Sequence, residues 1–526
     1  MKATDVSMKR WIGLGLALSL AGLPARAGEA DAGLAETGSL LVLHYGCGGC
    51  HDLPGSGLES EGKPGPDLRT IASKTDPGWA LRWILAPRSV QPTTSMPHFF
   101  DPDDPQEARD VVAYLWASSE AEDFAEPPTG DAARGGHLFD TLGCQGCHLR
   151  DGAAQRSAFT EPYRLHGPNL AGLGSKVNAG WLFAWLKDPR TVSPKTSMPS
   201  LRLSEEEAAD LTAYLMADRD PEPTLSQSVP EGDSEAGKEA IELYGCYGCH
   251  LIAGFEGAGS HAGELTSVEG FEGHGLLGLP DFALAPQEIE AIAAAVAAAA
   301  DEDPILAKGR SLVAQRGCRG CHLVEGRGQA LEAVIEDRGL LPPNLHGEGS
   351  KVQASWLEDY LRDPGEIRLR TWLSVRMPSF SLDEDELRTL LAYSSALEEK
   401  PFDERPAAPV PIRNVALGKE TFELISCGRC HPTDADAAAA SGLGAENLGP
   451  PLSLAYHRLR YGWIQAWLLD PQSWQPGTKM PTFFPESEPG VFQSPLEGAT
   501  ESPVFDPYRS RFLEVLKTEE ELETFL

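Results

Sequence analysis

The chain has 526 residues and carries 44 basic against 78 acidic side chains, a formal net charge of −34. That length exceeds one ordinary core and predicts several domains. The charge argues against nucleic acid and anionic membrane surfaces as partners, whereas a cationic protein would be steered toward the chain.

At the N-terminus Lys9 and Arg10 precede an apolar stretch from Trp11 to about Ala21, and Ala25-Arg26-Ala27 forms an A-x-A cleavage site. This predicts a signal peptide over 1–27, the run being too short to span a bilayer. No later apolar run of spanning length follows, so the mature chain is expected to be periplasmic or otherwise exported, with no membrane span.

Five repeated segments follow. The first (28–122) opens with a helix that starts near Gly38 and runs into CGGCH (Cys47, Cys50, His51). Then come a block GPDLRTIASKTDPGWALRWILAP with Lys74 and Trp79, a Met-Pro loop at Met96, and an acidic-start helix ending at Tyr114. The second (123–222) repeats this order with Gly135, CQGCH (Cys144, Cys147, His148), Lys176, Trp181, Met198 and Tyr214. The third (223–303) has Gly237 and CYGCH (Cys246, Cys249, His250) but no tryptophan block. Leu279-Pro280 stands where Met-Pro is expected, before an alanine-rich helix. The fourth (304–400) is complete: Gly309, CRGCH (Cys318, Cys321, His322), Lys351, Trp356, Met377 and Tyr393. The fifth (401–526) has Gly418, CGRCH (Cys427, Cys430, His431), Arg458, Trp463 and Met480, then a Pro/Glu/Ser-rich insertion and a short closing helix. Proline-rich joints separate the segments.

All 10 cysteines fall within the five Cys-X-X-Cys-His motifs. That pattern attaches c-type haem: the two thiols form thioethers and the next histidine reaches the iron. A zinc half-site or a redox dithiol needs no histidine directly after the second cysteine. Five covalently bound c-type haems are therefore expected, with His51, His148, His250, His322 and His431 as proximal ligands.

The soft thioether of methionine suits haem iron. Of seven methionines, four begin Met-Pro pairs that lie 45, 50, 55 and 49 residues beyond their motif histidines. Core packing does not predict that register, so Met96, Met198, Met377 and Met480 are expected to ligate iron. A glycine stands nine residues before the first cysteine in all five segments, where glycine weakens a helix. A second helix crossing closely would require it. The cation five residues before each tryptophan is either a solvated charge or a partner for a haem propionate. His44, His98, His137, His166, His346 and His457 lack motif context and are expected at the surface or in packing.

Each segment resembles class I cytochrome c, with its CxxCH-bearing first helix, proline loop, middle helix, Met-Pro loop and last helix. The resemblance implies a mostly α fold of five tandem class I cytochrome c-like helical domains, the third reduced. It also implies electron transfer through the iron. By the same resemblance, Pro66, Pro168, Pro343 and Pro450 lie near the proximal histidines and support their ring hydrogen bonds.

The third haem departs from this pattern. His274 or His261 would take its sixth position, or that position is open to water or a small ligand. The expected function is an electron relay between redox partners, most simply cationic or membrane-bound oxidoreductases or smaller cytochromes. The alternative is a redox enzyme or gas sensor built on an open third haem.

Overall fold

The computed structural model describes residues 29–525 apart from 54–62, 151–158, 160–162, 164–165, 221–230, 259–261, 263, 266–279, 299–302, 368, 398–401, 489–490, 497–502 and 504. The signal peptide, His261, His274 and Leu279 lie outside the described residues.

The chain is mostly α-helical. Among the described residues only two short hairpins occur, and no helix is long and apolar enough to cross a membrane. Two roles recur among the helices. The first is the helix leading into a motif: α1 (Glu29–Tyr45), then α2 (Ala132–Thr141), α3 (Ser234–Tyr244), α4 (Pro304–Gln315) and α5 (Ile412–Leu424). Asp131, Asp233 and Asp303 cap three of their N-termini with side-chain oxygens. The residue just before the first cysteine breaks the helix in the left-handed region. It is glycine at 46, 143, 245 and 317, and in the fifth segment it is Ser426 at φ 59°.

The second role belongs to the closing helices: Gln106–Ala117, Glu205–Met216, Pro286–Ala298, Glu384–Ala396 and Asp506–Leu516. Ser204 with Glu207, and Asp383 with Glu386, form reciprocal caps at two of them. Leading and closing helices cross at the glycines singled out by sequence. A Cβ on Gly135 would sit 2.0 Å from the carbonyl oxygen of Asp210, and one on Gly309 would sit 2.3 Å from the Tyr393 ring. Gly418 is the exception, with nothing within 4 Å.

The pairing does not follow repeat order in the first and third segments. α1 packs on Pro286–Ala298 of the third segment, where a Cβ on Gly38 would lie 1.8 Å from the Ala291 carbonyl oxygen. Tyr45 donates to Glu288 at 3.1 Å in the same contact. α3 packs on Gln106–Ala117 of the first segment, where a Cβ on Gly237 would lie 2.0 Å from the Asp110 carbonyl oxygen. The boundaries 28–122 and 223–303 therefore do not each enclose a closed unit. The two segments exchange partners, which is cheap because equivalent contacts are made either way. The second and fourth segments, and the fifth with Asp506–Leu516, pair their own helices.

Among the contacts joining the resulting units, two kinds recur. In one, haem motifs meet at the glycine before the second cysteine. A Cβ on Gly49 would lie 2.8 Å from the Gly248 carbonyl oxygen, and one on Gly320 2.2 Å from that of Gly146. The segments after the second and fourth Met-Pro pairs also bridge, Ser200 with Ser379, as His98 after the first does with Asp281 of the third segment. In the other, tryptophan blocks exchange cations: Lys74 lies 4.7 Å above Trp181, and Lys176 4.9 Å above Trp79. Lys351 over Trp463 and Arg458 over Trp356 repeat this between the fourth and fifth segments.

Candidate haem sites

Each motif folds as one tight turn. The amide of the motif histidine donates to the first cysteine carbonyl at 2.9 Å for His51 and 3.2 Å for His431, with the other three between. One turn thus presents two sulfurs and an imidazole together. Burial pushes the thiols of Cys47, Cys144, Cys147, Cys246 and Cys249 up to about 12. A redox dithiol needs the opposite shift, so these are sulfurs held in apolar slots rather than reactive thiolates.

Four imidazoles are oriented by a proline carbonyl. Nδ1 of His148 bonds the Pro168 oxygen at 2.8 Å, His322 bonds Pro343 at 2.7 Å, and His431 bonds Pro450 at 2.7 Å. The fourth partner differs from the sequence expectation: Pro66 holds His250, at 2.9 Å, rather than His51. A ring whose Nδ1 donates to a carbonyl leaves Nε2 bare for a metal. Burial lowers the pKa of His148, His250 and His322, which keeps the rings neutral. Glycine clears room for three of them: a Cβ on Gly65, Gly167 or Gly449 would lie 2.4 Å from the ring of His250, His148 or His431.

Met96 follows the exchange. It packs against the core of Phe100, Val111 and Ile241, against which Cys246 and Tyr247 also pack, which puts its thioether on the side of the 246–250 motif. The physical reason is the helix pairing: with α3 on Gln106–Ala117, Gly65 donates to the Cys249 carbonyl at 2.8 Å and Leu68 to that of Leu251 at 2.9 Å. The first motif is closed instead by residues of the third segment. Ala262 donates to the Cys50 carbonyl at 2.7 Å and Leu265 to that of Asp52 at 3.0 Å. Gly167 and Leu170 make the same bonds to the second motif. The reduced block thus serves His51, and the expected first and third sites trade halves.

Met198 and Cys144 pack against the same core in the second unit. Met377 and Met480 line one connected cavity of about 1680 Å³ together with Met198 and the motifs of the second, fourth and fifth segments. This exceeds the few hundred Å³ of an ordinary small-molecule pocket. An apolar cavity of that size, carrying paired thiols, bare imidazole nitrogens and thioethers, fits several macrocycles.

Sequence reasoning missed the second aromatic of each middle helix. Trp83, Trp185, Tyr360 and Trp467 stack on the aligned tryptophans at centroid distances of 4.8–5.2 Å. Trp83 and Trp185 also donate to the sulfurs of Met96 and Met198, at 2.8 and 2.9 Å. The four-residue spacing was legible in the chain. Among the histidines without motif context, burial pushes His44 and His166 each down to about 4.

A family profile described as cytochrome c matches residues 132–217 and 306–397. A cytochrome c of Chlamydomonas reinhardtii is 33% identical over 113 residues, covering 93% of that protein and 18% of this chain. A cytochrome c of Guizotia abyssinica is 33% identical over 117 residues, covering 96% of that protein and 18% of this chain. No solved structure matches significantly.

Proposed function

This chain belongs to the cytochrome c family, and we propose that it is an exported pentahaem cytochrome that relays electrons between redox partners. An electron-transfer haem protein is the coarser statement that family membership carries. The observation supporting the finer one is the pairing of haem motifs glycine to glycine, together with the cavity shared by three of them. Covalently bound haem would supply the electron-carrying iron. The cysteines anchor it, His51, His148, His250, His322 and His431 offer Nε2, and the packed helices exclude water.

Met198, Met377 and Met480 would offer thioether sulfur to the haems of their own units, and Met96 to that of the His250 unit. The haem at Cys47 and Cys50 is then the one without methionine. An open position for a small ligand would belong there rather than at Cys246, and His274 and His261, expected from the sequence at the third haem, would be its candidate protein ligands. Partners would be cationic or membrane-bound oxidoreductases.

Mass measurement of the mature protein combined with electron paramagnetic resonance of its oxidised form tests this. Five haems with four Met/His signals are expected. Fewer than five attached haems would defeat the array, and carbon monoxide binding by one reduced haem would favour the enzyme or sensor alternative.

A further inference from the structure

The two recurring contacts between units use different parts of the domain. The first uses the haem motif. It needs a glycine before the second cysteine, because the facing backbone lies where a side chain would stand. A Cβ on Gly248 would meet the Gly49 carbonyl oxygen at 2.4 Å and the Cys50 sulfur at 3.3 Å. One on Gly146 would meet the Cys321 sulfur at 2.9 Å. The haem-anchoring sulfurs of the first and third motifs thus come together, as do those of the second and fourth.

The second contact uses the tryptophan block, which is fastened to the methionine side of its unit. Trp83 stacks on Trp79 and donates to Met96; Trp185 stacks on Trp181 and donates to Met198. Backbone bonds tie the blocks in pairs. The Asn178 amide donates to the Lys74 carbonyl at 2.9 Å, and the Arg460 amide to the Lys351 carbonyl at 2.9 Å. Because Met96 lies with the 246–250 motif, this contact joins the His250 unit to the His148 unit, and the His322 unit to the His431 unit.

The His250, His148 and His322 units use both contacts. Each of the other two lacks one of the parts required. The His51 unit is closed by the third segment, which has no tryptophan block. The His431 unit has Arg429 where the other four motifs have glycine, and Cys430 is the one exposed cysteine of the ten. α1 also shares a core with Leu149 and pairs Glu36 with Arg319, contacts made by helix side chains rather than by sulfur or methionine. Resting on the haem reading above, we propose that the five sites form one unbranched row, out of chain order: Cys47/Cys50, Cys246/Cys249, Cys144/Cys147, Cys318/Cys321, Cys427/Cys430. Motif contacts and tryptophan contacts alternate along it. The lost tryptophan block ends the row at one side and Arg429 ends it at the other. An electron crossing the protein leaves a ferrous iron and arrives at the next ferric iron in that order, with no bond made or broken.

The test reads magnetic coupling between neighbouring ferric haems in the oxidised full-length holoprotein, as broadening of their paramagnetic resonance lines. The haem at Cys47/Cys50, without methionine, gives a signal apart from the four Met/His signals. Gly248→Arg places the fifth motif's residue at the first motif contact and keeps all ten cysteines. It should remove the broadening of that separate signal. Cys246→Ala/Cys249→Ala empties the neighbouring site and should remove it too. Cys144→Ala/Cys147→Ala should leave it, because the second motif stands two places away in the row although it is next in the chain. Loss of broadening in the Cys144/Cys147 variant, or its retention in the Cys246/Cys249 variant, would overturn the order. A wild-type mass with fewer than five haems would instead overturn the relay reading itself, so the two failures are distinct.

Discussion

The ring of His250 bonds the carbonyl of Pro66 at 2.9 Å across 184 positions of sequence. Between them lies the whole second segment, which closes its own unit. The His250 unit is thus made from chain on both sides of an independent neighbour. This follows from helix pairing alone: α3 and Gln106–Ala117 share a core containing Ile241 and Val112.

The exchange predicts which haem answers to Met96. Met96→His should convert one Met/His haem into a bis-histidine haem with its own paramagnetic signature and lower potential. Adding Cys246→Ala/Cys249→Ala should abolish that signature. Adding Cys47→Ala/Cys50→Ala should leave it. The reverse result would restore repeat-order pairing.

The helix crossings predict a contrast between two glycines at the same motif position. A methyl on Gly135 would press within 2.0 Å of the Asp210 carbonyl oxygen, and backbone must move to admit it. Gly135→Ala should cost about 1–3 kcal/mol, the usual range for overpacking. Gly418 has open space around it. Gly418→Ala should stabilise its helix by up to about 1 kcal/mol. Thermal unfolding of the holoproteins measures both, and equal shifts would mean the crossings do not depend on these glycines.

The same comparison shows what the sequence could and could not carry. The motifs, the leading and closing helices, and the crossing glycines are local patterns, and local patterns survive in a linear reading. Partner choice is not local. Gly38 meets Ala291 and Ala295 while Gly237 meets Asp110 and Val111, and no local pattern assigns either glycine to its helix. The missing tryptophan block of the third segment was legible as a loss. That the loss would fall on His51 depended on contacts made more than 200 residues apart, such as Tyr45 with Glu288. The failure of Gly418 to meet a partner was likewise invisible, since its sequence context matches the other four.

The glycine contact between motifs carries a third prediction. A Cβ on Gly320 would lie 2.2 Å from the Gly146 carbonyl oxygen, whereas the fifth motif tolerates Arg429 at this place and is exposed there. Gly320→Arg should keep its haem, because CxRCH is already used once in the chain. It should separate the second and fourth units and slow electron exchange between their haems. Flash reduction followed at the two haems measures this. Unchanged exchange in a correctly loaded variant would remove the motif contact from the electron route.

Arg319 carries the last prediction. Its guanidinium is 3% exposed and is held by Glu36 of α1 and by Glu325, the latter at 3.1 Å. It therefore ties the first leading helix to the fourth motif. Arg319→Met leaves Glu36 to Arg327 and Glu325 to Arg310 and Tyr393, so it should cost about 1–3 kcal/mol, the range for a lost buried hydrogen-bond partner. Burial pushes Glu325 upward, yet hydrogen bonds from Arg310 and Tyr393 and the charges of Arg310 and Arg319 outweigh it. Its carboxyl is held below the usual range. A carboxyl depressed in the folded state adds stability above its unfolded pKa of about 4.3 and loses it as pH falls through the folded value. Removing Arg319 brings the folded value closer to the unfolded one, so less stability is lost on acidification. Thermal midpoints measured from neutral pH into the acid range should fall less steeply in Arg319→Met than in the wild type. Parallel slopes would mean that Glu325 is held by Arg310 and Tyr393 alone.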